Sequence, residues 1–147
     1  MPMNAETARA ELIVPNEPRM LGAVTAVVNH AAERAGLLER AQKELAQAAV
    51  EACEHALELA AEDKREEPRV HVIVENFSDR IEITLEHHGP ADPVAGLDSF
   101  VAGGNPGREG VSKALQATGV DRVQYEAKDG LSRTRLVKYV DGKAPQK

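Results

Sequence analysis

The chain has no tryptophan, only two phenylalanines and two tyrosines, and a single cysteine among its 147 residues. With so few rings, any core must be aliphatic and alanine-rich, which suits helices packed closely on a sheet. Cys53 has no second cysteine to pair with, so a reducing compartment is the simpler expectation. No apolar run approaches the roughly 18 residues that cross a bilayer. Residues 1–9 lack the apolar stretch of a signal peptide. A soluble, cytoplasmic protein with no membrane attachment is expected. Neither sign of charge is concentrated: 18 Lys and Arg against 24 Asp and Glu give a net charge of −6, spread along the chain. Nucleic acid is therefore not an expected partner, because phosphate backbones call for a focused positive surface.

What is present is the pattern of one domain, long enough to bury a single core. A strand is predicted over residues 9–14, stopped by Pro15. Asn16 is the expected N-cap of a first helix, with Pro18 in its first turn, where a missing N–H does no harm. Leu21, Val24, Val28, Ala31 and Ala35 follow at helical spacing, and Gly36 is the natural stop. A second helix is predicted over residues 39–62, its inner stripe being Ala41, Leu45, Ala48, Ala52, His55 and Leu59. The charge run at 62–67 reads as a solvated turn.

Period-two patterning then predicts two strands, one carrying Val70, Val72 and Val74 on a face, the other Ile81, Ile83 and Leu85. Residues 76–79 are the hairpin between them. A glycine- and proline-rich loop follows over 88–108, with Phe100 and Val101 as its apolar anchors; a loop of this length suggests a mobile lid. A third helix fits 109–118. A closing hairpin fits 122–127 and 133–140, turned at Asp129-Gly130. The fold class is α+β: a two-layer sandwich with helices on one face of a mostly antiparallel sheet. Residues 9–141 form the domain, between tails at 1–8 and 142–147.

This order, with a glycine-rich loop between the central hairpin and the third helix, resembles the GHKL (Bergerat-type) ATPases. Residues 11–24 (ELIVPNEPRMLGAV) and 119–130 (GVDRVQYEAKDG) resemble the ends of bacterial anti-sigma-factor serine kinases. Three boxes lie between. The family's first reads Glu-Ala-x-x-Asn, and here Glu51-Ala52-Cys53-Glu54-His55 stands in its place. The resemblance implies that Glu51 is the catalytic carboxylate of an active enzyme and that His55 occupies the magnesium-ligand position. Imidazole suits Mg²⁺ poorly, since that ion prefers oxygen donors. The second box is Asp-x-Gly-x-Gly or Ala, here His87-His88-Gly89-Pro90-Ala91. His87 takes the place of the adenine-reading Asp, in phase with Ile83 and Leu85, while His88 alternates outward. The third box, Gly-x-Gly-Leu, aligns with Gly110-Val111-Ser112-Lys113, with Gly107 offering another register. A Cβ at Ser112 restricts the approach of phosphate. The nucleotide pocket implied by the resemblance is thus His55, His87, Gly89, Ala91, Gly107, Gly110 and Ser112.

Three ATP contacts have changed type while the scaffold pattern persists, and together they imply a degenerate nucleotide site. The resemblance implies a regulatory protein that binds a sigma factor or an anti-sigma-factor antagonist, with ATP binding weak or lost. An active ATP- and Mg-dependent serine/threonine kinase acting on such an antagonist stays open. So does a small metal- or metabolite-binding domain, because Glu51, His55 and His87 would supply two imidazoles and a carboxylate. Each of these residues also has a plainer reading. Glu51 on a long helix is by default a surface carboxylate, His55 and His87 are hydrogen-bonded structural histidines, and Cys53 is an inert core thiol. The resemblance implies pairing through the sheet region or the first strand, and with the edge that residues 9–14 would expose, a homodimer is expected.

Overall fold

A computed structural model of the chain describes residues 6–62, 67–88, 100–101 and 119–140. Strand β1 (Glu6–Pro15) leads through a short 3-10 turn (Pro18–Met20) into helix α1 (Leu21–Arg34), followed by helix α2 (Glu39–Ala60). Strands β2 (Arg69–Phe77), β3 (Arg80–His88), β4 (Phe100–Val101), β5 (Arg122–Lys128) and β6 (Leu131–Tyr139) complete the described chain. The strands form one antiparallel sheet in the order β1-β2-β3-β6-β5-β4. Both helices lie on one face, α1 against β1 and β2, α2 against β2 and β3. This is the expected α+β two-layer sandwich. The expected third helix at 109–118 and the proposed lid fall outside the described residues, apart from β4.

Local chemistry accounts for the joints. Gly36 has φ +84°, and the N–H groups of Gly36 and Leu37 bond back to the carbonyls of Glu33 and Ala32 at 3.0 and 3.1 Å. These two bonds close the last turn of α1 and turn the chain towards α2. Between β5 and β6, Asp129 (φ 56°) and Gly130 (φ 79°) form a two-residue turn with both central residues left-handed. Its twist matches that of the flanking strands. The β2–β3 hairpin is tighter than expected, with only Ser78 and Asp79 between the strands, and Asn76 lies inside β2. Asn16 does not cap α1. The cap position of the 3-10 turn is Glu17, with no side-chain bond. The turn is closed instead by the Met20 N–H to the Glu17 carbonyl at 2.9 Å.

The core joins Val24 and Val28 of α1, Leu45, Ala49 and Cys53 of α2, and the inward faces of the strands: Val14, Val70, Val72, Ile81, Ile83, Leu85 and Leu136. Each large aliphatic side chain taken fully from water contributes roughly 1.5–3 kcal/mol. The inward face of α2 is rotated from the expected stripe. Leu45, Ala46, Ala48, Ala49, Cys53, Ala56, Leu57 and Ala60 are buried, whereas Ala41, Ala52, His55 and Leu59 sit at the margin. Alanine-rich helices give this ambiguity, because a methyl group at almost every turn leaves several stripes of similar hydrophobicity.

The other face of the sheet carries a ladder of charges across five strands. His71 sits between Glu11 at 2.9 Å and Glu86 at 3.6 Å, and Arg133 joins Glu86 at 2.8 Å to Glu126 at 2.7 Å. Hydrogen bonds from His71, then from Arg9, hold the Glu11 carboxyl below its ordinary range. Exposed pairs of this kind stabilise little individually. Their stems flank Ile73 and Thr84, which face each other in the β2–β3 register and are buried on this side.

Candidate functional site

Helix α2 places Glu51 and His55 four residues apart, so both project from one side of it. That side borders a cleft of about 380 Å³ against the β1–α1 connection. Asn16, Glu17, Pro18 and Leu21 form one wall, and Glu54 and Glu58 extend the other. The two walls meet because α1 and α2 are antiparallel and joined by a short connection, which sets the start of α1 beside the end of α2. No signal for the Asn16–Leu21 wall is legible beyond the prolines at 15 and 18, which fix the path of the chain there.

The cleft is acidic. Glu17, Glu51, Glu54 and Glu58 line it, and no Lys or Arg does among the described residues. His55 is the one group there able to carry positive charge, and its Nδ1 lies 3.8 Å from a Glu58 carboxylate oxygen. Glu51 accepts a hydrogen bond of 3.3 Å from the Gln47 amide. A polyanion entering such a cleft meets carboxylates without a compensating cation. A magnesium ion would ordinarily relieve that repulsion. His55, at the position implied to hold it, offers nitrogen where Mg²⁺ takes oxygen, so that position does not fit the ion.

His87 behaves differently. It continues the inward series Ile81, Ile83, Leu85 and is 5% exposed, as its phase in the strand predicts. Its Nδ1–H donates to the His88 carbonyl at 3.0 Å, which fixes the ring, and it faces Ser132 in the β3–β6 register. His88 is exposed, as its alternation requires. His87 is not among the residues lining the acidic cleft. Glu51, His55 and His87 do not form a group able to hold a metal ion, and no such group of three exists among the described residues. Two of these residues share a side of α2, and the third is held in the sheet by its own backbone contact. Cys53 is fully buried, and burial, followed by the charge of Glu54, pushes its thiol up to about 12. It is unsuited to nucleophilic work. Gly89, Ala91, Gly107, Gly110 and Ser112 lie outside the described residues.

No helix among the described residues is long and apolar enough to cross a membrane. The sequence profile of a family described as histidine kinase-like ATPase domain matches residues 14–138. No curated protein matches the chain. The matched span runs from the end of β1 to the end of β6 and takes in both helices and all three altered boxes.

Proposed function

The chain belongs to the histidine kinase-like ATPase domain family, and on that premise we propose that it is a regulatory protein-binding domain with little or no affinity for Mg-ATP. The partner class is the one implied by the resemblance to anti-sigma-factor serine kinases: a sigma factor or an antagonist protein. Domains of this family bind ATP with magnesium, so the loss must be argued from this chain's own residues. The observation that carries the reading is the pair of histidines at the two described ligand positions. His87 fills the adenine-reading position with a buried ring tied to the His88 carbonyl. His55 fills the metal position in a cleft whose other charged lining groups are all carboxylates. The first change replaces an anionic acceptor with a larger ring. The second removes the oxygen ligand that a hard cation requires.

Isothermal titration of the full chain with Mg-ATP tests this. The expected result is no measurable heat, or an affinity weaker than about a millimolar, which corresponds to roughly 4 kcal/mol of binding free energy. A low-micromolar affinity would overturn the reading and favour the active kinase. In that case Glu51, half-buried beside the cleft and oriented by Gln47, would be positioned to activate the attacking hydroxyl of a serine.

A further inference from the structure

Two clefts flank α1, and their chemistry is opposite. The acidic cleft lies at the start of the helix. Towards its end, between α1 and β1, is a second cleft of about 210 Å³. Its walls are apolar: Ala8 and Ala10 of β1, Val27 and Ala31 of α1, and Val74 of β2. Ala8 and Ala10 offer only methyl groups, so strand and helix do not fill the space between them. No Asp or Glu lines this cleft among the described residues, but His30 and Arg34 do. They stand four residues apart on one side of α1, both exposed. Neither has a hydrogen-bond or ion-pair partner among the described residues. Arg9, which also borders the cleft, turns its guanidinium to the opposite face of the sheet and pairs with Glu11 and Glu75. The Asn76 amide is taken by the Ala31 carbonyl. Two donors without a partner thus stand beside an apolar hollow.

We propose that this cleft binds a small apolar carboxylate, with the hydrocarbon against the alanine and valine walls and the carboxylate on Arg34 and His30. A guanidinium presents parallel N–H donors that match the two oxygens of a carboxylate. An imidazole N–H supplies one donor more. Sites for drug-sized ligands run to about 300–1,000 Å³; at about 210 Å³ this one suits a short aliphatic chain or a single ring. The sign of the charge follows from the lining. An amine would meet the Arg34 guanidinium with no carboxylate to receive it, and an alcohol would forgo the charge-assisted bonds. None of the lining residues belongs to the three altered boxes, so the site stands whether or not the chain binds Mg-ATP.

Hexanoate titrated into the full chain, followed by amide NMR, tests this. The amides of Val27, His30, Ala31, Arg34 and Val74 should shift together, with a dissociation constant of about a millimolar, the strength expected of so few atoms. Hexanol should bind about tenfold more weakly, and hexylamine should not bind. Arg34→Gln should weaken hexanoate about tenfold and leave hexanol unchanged. Arg34 is exposed, so this change does not threaten the fold. Ala10→Leu puts a larger side chain into the cleft and should abolish binding of both, with its thermal melt reporting that the fold is kept. No shift at ten times the expected dissociation constant would overturn the proposal. So would hexanol or hexylamine binding as tightly as hexanoate, an R34Q variant that holds hexanoate undiminished, or shifts confined to the acidic cleft.

Discussion

The side-chain amide of Asn76, inside β2, donates a 3.0 Å hydrogen bond to the main-chain carbonyl of Ala31 in α1. The same carbonyl accepts the Ala35 N–H at 3.0 Å. A polar side chain therefore links the two layers at the point where α1 ends. Asn76 is 6% exposed, so water cannot easily replace the bond. Replacing Asn76 by Ala is expected to cost about 1–3 kcal/mol, read as a lower urea midpoint at unchanged slope. Asn76→Asp should be worse, because it sets a carboxylate against a carbonyl oxygen.

Gly119 packs directly on the backbone of α2. A Cβ at this position would fall on the carbonyl of Glu44 and within 2.8 Å of the Leu45 nitrogen. Neither group can move without disturbing the helix. Gly119→Ala should destabilise the fold by about 1–3 kcal/mol or more. Gly22→Ala, where nothing lies within 4 Å of the added carbon, should be neutral or slightly stabilising. Paired thermal melts of the two variants check this directly, and equal effects would count against the close approach.

The Cys53 thiol should resist alkylation and disulfide exchange in the folded protein at pH 8 and react fully in denaturant. Its pKa is raised to about 12 from 9.0, first by burial and then by Glu54. The folded state thus holds this proton more tightly than the unfolded chain does. The associated stability is complete below about pH 9 and declines as pH rises from there towards 12. Cys53→Ala should flatten that alkaline decline. Rapid labelling of the native wild-type thiol would contradict the buried assignment.

Restoring nucleotide binding should need more than one substitution. His87→Asp alone is expected to recover little, since the metal position and the phosphate cradle remain altered. His87→Asp combined with His55→Asn and Ser112→Gly is expected to give measurable Mg-ATP binding by titration. Full recovery from His87→Asp by itself would show that the other two positions tolerate their present residues. A thermal shift with Zn²⁺ should be absent in every variant. A ligand at 100 times its dissociation constant would add about 2.7 kcal/mol, so a real metal site would be visible.

The strands were the most legible part of the sequence. Alternation in β2 and β3 is strict enough that the inward direction of His87 followed from counting. The turn at Asp129-Gly130 followed from residue type, because few other pairs accept two positive φ angles. The helices were less legible. The stop at Gly36 was readable, but the inner face of α2 was not, since alanine at 46, 48, 49, 52 and 56 blurs the period and only burial picks out Ala49, Cys53, Ala56 and Ala60. β4, two residues long, is too short for any period to register. The acidic cleft could not be read at all, because it depends on which end of α2 meets the start of α1. Asn76 looked like a turn residue for a sound reason: asparagine favours turns, and its role here is fixed by a carbonyl 45 positions away.

The seam between β3 and β6 bears on how the chain is made. Among the described residues the sheet consists of two runs of neighbouring strands, β1-β2-β3 and β4-β5-β6, joined where β3 pairs with β6, from Arg80 opposite Tyr139 to His88 opposite Leu131. During synthesis both helices and the first three strands emerge well before residues 131–139. Until those residues appear, β3 is an open edge lined on its inner side by Ile81, Ile83 and Leu85. The N-terminal half must therefore wait, with β3 unpaired along one edge, for β6 to arrive. A ribosome paused, or a chain cut, before residue 131 leaves a species with a sticky margin.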